Sequence, residues 1–175
     1  MSKTFSAFFE VLSRRGSAVG GGSAAAVAAT LSAGLLEKIL PDPAQQARLR
    51  RTRKQCFRLI DQDARAFEAV MHHLRQKRKT GLSVPLKQAS EVQWRLLENA
   101  QALITDCSQL GIVINRSYRS DLACARHLAQ AAAKSAEGFI RANAVWLDDD
   151  AYREQTRTRL AALRARQRRQ RTEKA

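Results

Sequence analysis

Apolar residues recur every three or four positions along nearly the whole chain, which is the spacing of amphipathic α-helices. The pattern breaks at Gly16, at a Pro-Asp-Pro segment over 41–43, at Gly111 and at an acidic run over 148–150. We therefore predict an all-α bundle of five to six helices. The predicted helices span about Phe5–Leu12, Ser23–Leu40, Ala44–Lys79, Pro85–Cys107 and Ser120–Trp146, and a last helix begins after Asp148 or Asp149 and loses its apolar stripe after Leu163.

The second predicted helix follows a triple-glycine segment and consists of very small residues. Gly20, Gly21 and Gly22 form a flexible joint, and Ser23 is a suitable N-cap for the alanine-rich helix behind it. Because small side chains let neighbouring backbones approach closely, we expect this helix to lie centrally. The free N–H groups at such a helix start can bind an anion. The P-loop and dinucleotide-binding spacings are absent, however, and a plain hinge explains the glycines equally well.

The charge of the chain is strongly positive and unevenly distributed. Its 175 residues suffice for one domain, and 31 Lys and Arg against 16 Asp and Glu give a net charge of +15. Basic residues concentrate over 44–60, over 75–79 and after Arg153. Solvated helix faces explain most such runs, and nucleic acid, anionic lipid and polyanionic small molecules are the candidate partners. We divide the chain into a helical domain over 1–163 and a basic tail over 164–175 that we expect to fray.

The sequence also bears on the compartment in which the protein works. The uncharged segment over 16–36 is mostly Ala, Gly and Ser, which is too weakly apolar for a membrane span or an export signal. Three cysteines without a CxxC pair argue against a disulfide framework and a cysteine-built zinc site. We predict a cytoplasmic protein without a membrane partner, in which Cys56, Cys107 and Cys124 are core thiols.

One acidic residue occupies an apolar position. Asp63 lies three residues after Ile60 and four before Phe67, so its carboxylate is predicted to face the interior. An unpaired carboxylate is too costly to bury, so Asp63 must be paired, protonated or next to a cavity. A buried salt bridge and a functional carboxylate fit the periodicity equally well. Asp61 and Glu68 fall off this seam and are predicted to be solvated.

Two further polar groups have plainer explanations. Ser120 and Asp121 suit the N-cap and first turn of a helix. Glu68 and His72 share a helix face at i, i+4 and could hold a metal only together with further ligands, which the sequence does not indicate. We therefore predict no metal site and no cofactor.

Five short segments nevertheless follow one another in a recognisable order. They are Val19–Ala26 with its three glycines, Asp61–Met71, Val84-Pro85-Leu86, Ser120-Asp121-Leu122-Ala123 and Asn143–Leu147. Together they resemble motifs of the formiminotransferase-cyclodeaminase family, which includes the stand-alone methenyltetrahydrofolate cyclohydrolases. Order and approximate spacing agree over residues 5–155.

The resemblance implies an all-α homodimer that acts on one-carbon derivatives of tetrahydrofolate as its substrate. Members either cyclise 5-formiminotetrahydrofolate with release of ammonia or hydrolyse 5,10-methenyltetrahydrofolate, and the sequence does not separate the two reactions. By the matching motifs, Asp63 is implied as the central catalytic carboxylate and Asp121 as a second catalytic residue. The residues implied for substrate binding are Gly20, Gly21, Gly22, Ser23 and Ser120.

Two other functions remain open on the sequence. One is a non-catalytic binding or scaffolding role for the same bundle. The other is association with RNA or DNA through the arginine-rich C-terminal segment, which would make binding strongly dependent on salt.

Overall fold

The interruptions in the apolar pattern are the places where the helices end. The structure is a computed structural model that describes residues 2–76, 81–111, 114–147 and 149–172. These residues form six α-helices and one short 3₁₀ turn over Arg116–Tyr118, with no strand among them, which confirms the all-α prediction. The helices are α1 (Ser2–Ser13), α2 (Gly21–Ile39), α3 (Pro43–Arg75), α4 (Ser83–Leu110), α5 (Arg119–Trp146) and α6 (Asp150–Thr172).

Helix α2 lies at the centre of the bundle, as its small side chains predict. It packs against α3, α4 and α5, and Ala26, Ala29 and Ala33 are completely buried along it. The approach to α5 is close enough for the Ser32 hydroxyl to donate a 2.8 Å hydrogen bond to the backbone carbonyl of Ala125. A bulkier helix would hold the two backbones further apart.

The start of helix α3 is fixed by two local features. Its first residue is a proline, and the Asp42 side chain caps it by accepting from the Gln45 N–H at 2.8 Å. Cys56 lies on the buried seam as predicted, but Phe67 is 44 % exposed, contrary to the prediction. Along this long helix the buried positions shift by one residue from the predicted repeat. Val70, which the repeat did not include, is therefore buried in the core. The predicted extension of the helix to Lys79 falls on residues outside the described part.

The later helices also begin near the predicted positions. Pro85 lies in the first turn of α4, and the Asp149 carboxylate caps α6 by accepting from the Tyr152 N–H at 2.9 Å. Asp148, the other predicted cap, is outside the described residues. The apolar stripe of α6 does end near Leu163, yet the backbone stays helical to Thr172 because Ala, Arg and Gln favour helix. The division of the chain after residue 163 stays a prediction.

The three cysteines do not share one environment. Cys56 and Cys107 are buried, and burial raises the pKa of the Cys56 thiol to about 12 and that of Cys107 to about 11. Cys124 is exposed, so its prediction as a core thiol is wrong. Its neighbours Leu122 and Ala125 face the core, and a side chain about 100° around the helix from Ala125 points outward.

Helix α1 stands apart from the packed core. Among the described residues it makes no more than a marginal contact with any other helix. Its apolar side is consequently open, with Phe5 51 % and Phe9 56 % exposed and their rings 6.3 Å apart. In the described residues, no helix combines the length and hydrophobicity that crossing a bilayer requires.

The close packing of the helices makes a direct prediction for two adjacent alanines of α5. Ala132 is completely buried and Ala131 is exposed. We expect Ala132→Leu to lower the free energy of unfolding by about 1–3 kcal/mol or more, because the core has no room for the larger side chain. Ala131→Leu, the matched control, should change it by less than about 0.5 kcal/mol. Urea unfolding of both variants tests this, and equal effects would contradict the packing described here.

Candidate functional site

Asp63 lies where α3 passes the start of α2. Its side chain is half-buried and faces the bundle, as predicted. One carboxylate oxygen, Oδ2, accepts a 2.9 Å hydrogen bond from the Ser23 hydroxyl of α2. The other, Oδ1, accepts a 2.6 Å hydrogen bond from the Gln93 amide of α4. Three helices therefore contribute to one carboxylate site.

The partners of Asp63 carry no charge. Burial raises the pKa of the Asp63 carboxyl above its ordinary value, and the Ser23 hydroxyl, the Ser23 backbone N–H and the Gln93 amide lower it in part. Within the described residues no Lys or Arg pairs with Asp63. The buried salt bridge that the sequence left open is therefore not formed there. A carboxyl in such surroundings is suited to holding and releasing a proton.

The triple-glycine segment brings the backbone of α2 against this carboxylate. A Cβ atom on Gly22 would collide with Asp63 Oδ1 and come within 2.6 Å of Gln93 Nε2. A Cβ atom on Gly21 would come within 2.7 Å of the Phe139 ring on α5. Gly20 is the N-cap of α2 and has open space around it. Glycine is thus required for close approach at Gly21 and Gly22.

Ser23 does not have the role that its position suggested. It was predicted as the N-cap of α2, but the helix begins at Gly21 and its N-cap is Gly20. Ser23 is instead completely buried in the first turn, and its hydroxyl has two acceptors, Asp63 Oδ2 and the backbone carbonyl of Ile60 at 3.1 Å. The residue joins α2 to α3 rather than capping α2.

Ser120 and Asp121 lie at the opposite end of α2. Asp121 Oδ2 accepts a 3.0 Å hydrogen bond from Lys38 Nζ near the C-terminus of α2, and this contact raises the pKa of Lys38. At about 1.5 Å per residue, Lys38 is about 22 Å from Ser23 along the helix. One chain therefore does not bring Asp121 and Asp63 together. Ser120 is not the N-cap of α5, because the helix already begins at Arg119 after Tyr118, whereas Asp121 lies in the first turn as predicted. The predicted roles of Ser120 in substrate binding and of Asp121 in catalysis stay predictions.

Cavities open at both ends of α2. One of about 480 Å³ is lined by Val19 and Ser17 of the glycine segment and by Asp61 and Arg65 of α3. Asp61 and Glu68, the carboxylates predicted to be solvated, are exposed on this outer face of α3. The other cavity, of about 830 Å³, lies at the end where Lys38 and Asp121 meet.

The second cavity contains a carboxylate that contrasts with Asp63. Asp106 is buried, and its two oxygens accept hydrogen bonds of 2.9 and 3.0 Å from the guanidinium of Arg48. Such a two-pronged pair engages both carboxylate oxygens and fixes the orientation of the carboxylate. Other arginines of the basic run over 44–60 are also paired, since Arg50 and Arg53 both donate to Glu37. Part of that run therefore stabilises the fold. In the basic run over 75–79, residues 77–79 lie outside the described part.

Gln93 is the residue of the site that the sequence analysis missed. It lies four residues after Ala89 and four before Leu97, so a polar side chain interrupts the apolar stripe of α4, as Asp63 does on α3. Gln93 is 3 % exposed, and its Oε1 atom is buried without a hydrogen-bond partner. The same periodicity argument that identified Asp63 would have found it. No group of three His, Cys, Asp or Glu side chains in the described residues is placed to hold a metal ion.

Comparison with known proteins decides the family. The formiminotransferase-cyclodeaminase family model matches residues 43–162, which is more than half of the chain. The chain belongs to the formiminotransferase-cyclodeaminase family. A search of curated proteins gives no match.

A solved structure shows the same fold for this family member. This chain is similar to the crystal structure of formiminotetrahydrofolate cyclodeaminase from Thermotoga maritima, with a TM-score of 0.78 and 21 % sequence identity. The likeness covers 90 % of this chain and 86 % of that one. The cyclodeaminase-like bundle predicted from the sequence is thus confirmed.

The contact of Gly22 with Asp63 and Gln93 predicts a steric effect. We expect Gly22→Ala to lower the free energy of unfolding by about 1–3 kcal/mol, because the added methyl group displaces both side chains. Gly138 of α5 has open space around it, so Gly138→Ala should stabilise the helix by about 0.5–1 kcal/mol. Thermal or urea unfolding of the two variants checks the opposite signs.

The raised pKa of Asp63 predicts a pH dependence of stability. A carboxyl that binds its proton more tightly when folded stabilises the fold fully below its unfolded pKa, and this contribution is lost as pH rises through the folded pKa. Asparagine mimics the protonated form at every pH. The free energy of unfolding of the wild type should therefore fall relative to Asp63→Asn as pH rises above about 4, the ordinary pKa of an aspartyl carboxyl. The exposed Asp61→Asn serves as control, and parallel curves for wild type and Asp63→Asn would contradict the assignment.

Proposed function

We propose that this protein is an enzyme acting on a one-carbon derivative of tetrahydrofolate, with Asp63 as the carboxyl that transfers a proton. The two reactions considered are hydrolysis of 5,10-methenyltetrahydrofolate and cyclisation of 5-formiminotetrahydrofolate with release of ammonia. The observation that supports this best is a half-buried carboxyl with neutral partners and a raised pKa, next to the glycine segment of the family. Membership of the family and the cyclodeaminase fold agree with it.

The chemistry of hydrolysis suits such a carboxyl. The methenyl derivative carries a delocalised amidinium cation, which an ionised Asp63 stabilises by its charge. When water attacks the methenyl carbon, Asp63 accepts a proton from the water and the new C–O bond neutralises the cation. A C–N bond of the resulting carbinol then breaks to leave a formyl group, the carbinol proton moves to the departing nitrogen, and Asp63 returns its proton to solvent.

Cyclodeamination would use the other protonation state. The arylamine nitrogen outside the ring attacks the formimino carbon, and its proton moves to the imino nitrogen. The C–N bond to the resulting amino group then breaks. A protonated Asp63 gives its proton to that nitrogen, so that it leaves as ammonia. Burial, which raises the pKa of Asp63, favours this acid form.

In this proposal the substrate lies against the start of α2. Gly20, Gly21, Gly22 and Ser23 would line its pocket, and the cavity of about 480 Å³ at Ser17 and Val19 adjoins this segment. The glutamate part of a folate is anionic, so basic side chains over 44–60 would attract it.

Replacing Asp63 tests the proposal directly. We expect Asp63→Asn to lower kcat at least about a hundredfold, which is the usual contribution of a general acid or base, with the helical fold intact. Asp150→Asn, at the exposed start of α6, should keep activity. Loss of methenyltetrahydrofolate absorbance above the buffer rate measures one reaction, and ammonia release from formiminotetrahydrofolate measures the other.

The same experiment separates an enzyme from a scaffold. A wild-type protein that turns over neither compound would support the non-catalytic alternative. The nucleic-acid alternative, which the sequence assigns to the basic tail over 164–175, stays a prediction.

A homodimer is part of the proposal. Phe5 and Phe9 of α1 are more than half exposed and contact each other, and such an exposed apolar face is typical of an interface. Asp63 and Asp121 lie at opposite ends of α2, so a two-fold pairing of antiparallel copies would bring Asp121 of one copy towards Asp63 of the other. The predicted site would then be completed by the second copy.

We therefore expect Phe9→Asp to convert a dimer into monomers, because a charge replaces a ring at the interface. Val145→Asp places the same charge at a 73 % exposed position of α5 and should leave the dimer intact. Light scattering after gel filtration measures the mass of each. A monomeric wild-type protein at micromolar concentration would overturn this part of the proposal.

A further inference from the structure

Gln93 has an unusual hydrogen-bonding state for a buried amide. Its Nε2 atom donates to Asp63 Oδ1 at 2.6 Å, while its Oε1 atom is buried and has no partner among the described residues. A buried carbonyl oxygen without a hydrogen-bond partner lowers the free energy of unfolding by about 1–3 kcal/mol, and such atoms are therefore rare in native proteins. A buried amide with one unused end therefore needs a reason.

The reason lies in what an amide can do next to a carboxyl. An ionised Asp63 needs a donor, and a protonated Asp63 needs an acceptor for its O–H. Rotation of the Gln93 amide by half a turn about its last side-chain bond exchanges Nε2 and Oε1. Because Oε1 has no partner to lose, this rotation breaks only the bond to Asp63 and forms it again in the opposite direction.

The distance is compatible with both directions. At 2.6 Å, the contact is shorter than the usual range of an N–H···O bond and within the range of an O–H···O bond. The two side chains can thus remain in contact when Asp63 carries the proton, with Gln93 Oε1 in the place of Nε2.

Ser23 has the same property on the other oxygen of Asp63. Its hydroxyl is within hydrogen-bond distance of Asp63 Oδ2 at 2.9 Å and of the Ile60 carbonyl at 3.1 Å. When Asp63 is ionised, the hydroxyl donates to it. When Asp63 is protonated, the hydroxyl can donate to Ile60 and accept from the acid. Both side-chain partners therefore fit both states.

Among the described residues, no charged side chain forms a contact with Asp63. Towards Asp63, α2 presents Ser23 and α4 presents Gln93, and α5 presents the Phe139 ring against the adjacent Gly21. Charged residues of α3 itself, such as Asp61 and Glu68, are exposed. Only burial and neutral hydrogen bonds shift the pKa of Asp63, and burial, the larger effect, raises it.

We propose that Gln93 is a positioning residue that holds Asp63 in one orientation through both of its protonation states by reversing the direction of its amide. The inference rests on the proposed function, in which Asp63 gains and loses a proton in each turnover. A side chain that can only donate, such as Arg, would hold only the ionised form of Asp63. A reversible partner lets the proton come and go without a rearrangement of the carboxyl.

The test compares two replacements of Gln93 with a control on the same helix. Gln93→Met keeps the length of the side chain and removes both hydrogen-bonding atoms. Because a donor to the ionised form is lost, the pKa of Asp63 should rise by roughly one unit, a tenfold change in proton affinity. Gln88→Met, at an exposed position of α4, should leave it unchanged. Carbon-13 NMR of the Asp63 carboxyl reads this titration.

Gln93→Glu supplies the rescue. At low pH its protonated carboxyl can donate to Asp63, so the variant should approach wild-type kcat at acid pH and lose it as pH rises. Gln93→Met should have kcat lowered about tenfold or more across the range, with little change in KM. A purely structural Gln93 would give two variants that lose activity without this difference in pH profile.

Each result decides the matter without requiring the function to be correct. An unchanged Asp63 titration in both Gln93 variants would overturn the positioning role even if the enzyme is active. A shifted titration in a protein that turns over no folate would uphold the positioning role while removing the proposed function. If Gln93→Met does not fold, the pH profile of kcat for Gln93→Glu still tests the role, because a carboxyl at this position can donate to Asp63 only while it is protonated.

Discussion

The start of α2 and the side chain of Asp63 meet so closely that only a glycine fits between them. Gly22 contacts Asp63 and Gln93 through its backbone, and Ser23 in the next position completes the hydrogen bonding of the carboxylate. This contact fixes the approach of α3 and α4 to α2, and it half-buries the carboxyl. The alanine-rich remainder of α2 continues the same close packing towards α5. The bundle and its candidate site therefore depend on the same small residues.

Periodicity was sufficient for the fold and for the central carboxylate. It placed the helices close to their observed bounds and directed Asp63 inward, because a 3.6-residue repeat determines which side chains face the core. It was less informative where a helix is long or a face is mixed. The apolar residues around Phe67 and Cys124 predict that both side chains face the core. The buried positions of α3 shift before Phe67, however, and Cys124 points away from the packed face of α5.

Sequence pattern could not determine how polar side chains meet across helices. Serine is a residue type that often caps helices. Whether the Ser23 hydroxyl bonds to its own helix or to a neighbouring one depends on the packing of α3. Likewise, nothing in the spacing of Asp63 and Asp121 shows that one chain holds them at opposite ends of α2. The order of motifs along a chain indicates which residues belong to a family's pattern. The distance between two such residues in space depends on helix length and on the number of copies assembled.

Cys124 offers a practical consequence of this arrangement. It is an exposed thiol, whereas burial and a raised pKa make the other two cysteines poor nucleophiles at neutral pH. A maleimide spin label should therefore attach to a single natural position, about one turn beyond Asp121. Pulsed electron paramagnetic resonance between two such labels would then measure the separation of the α5 helices in an assembled pair, with no engineered cysteine.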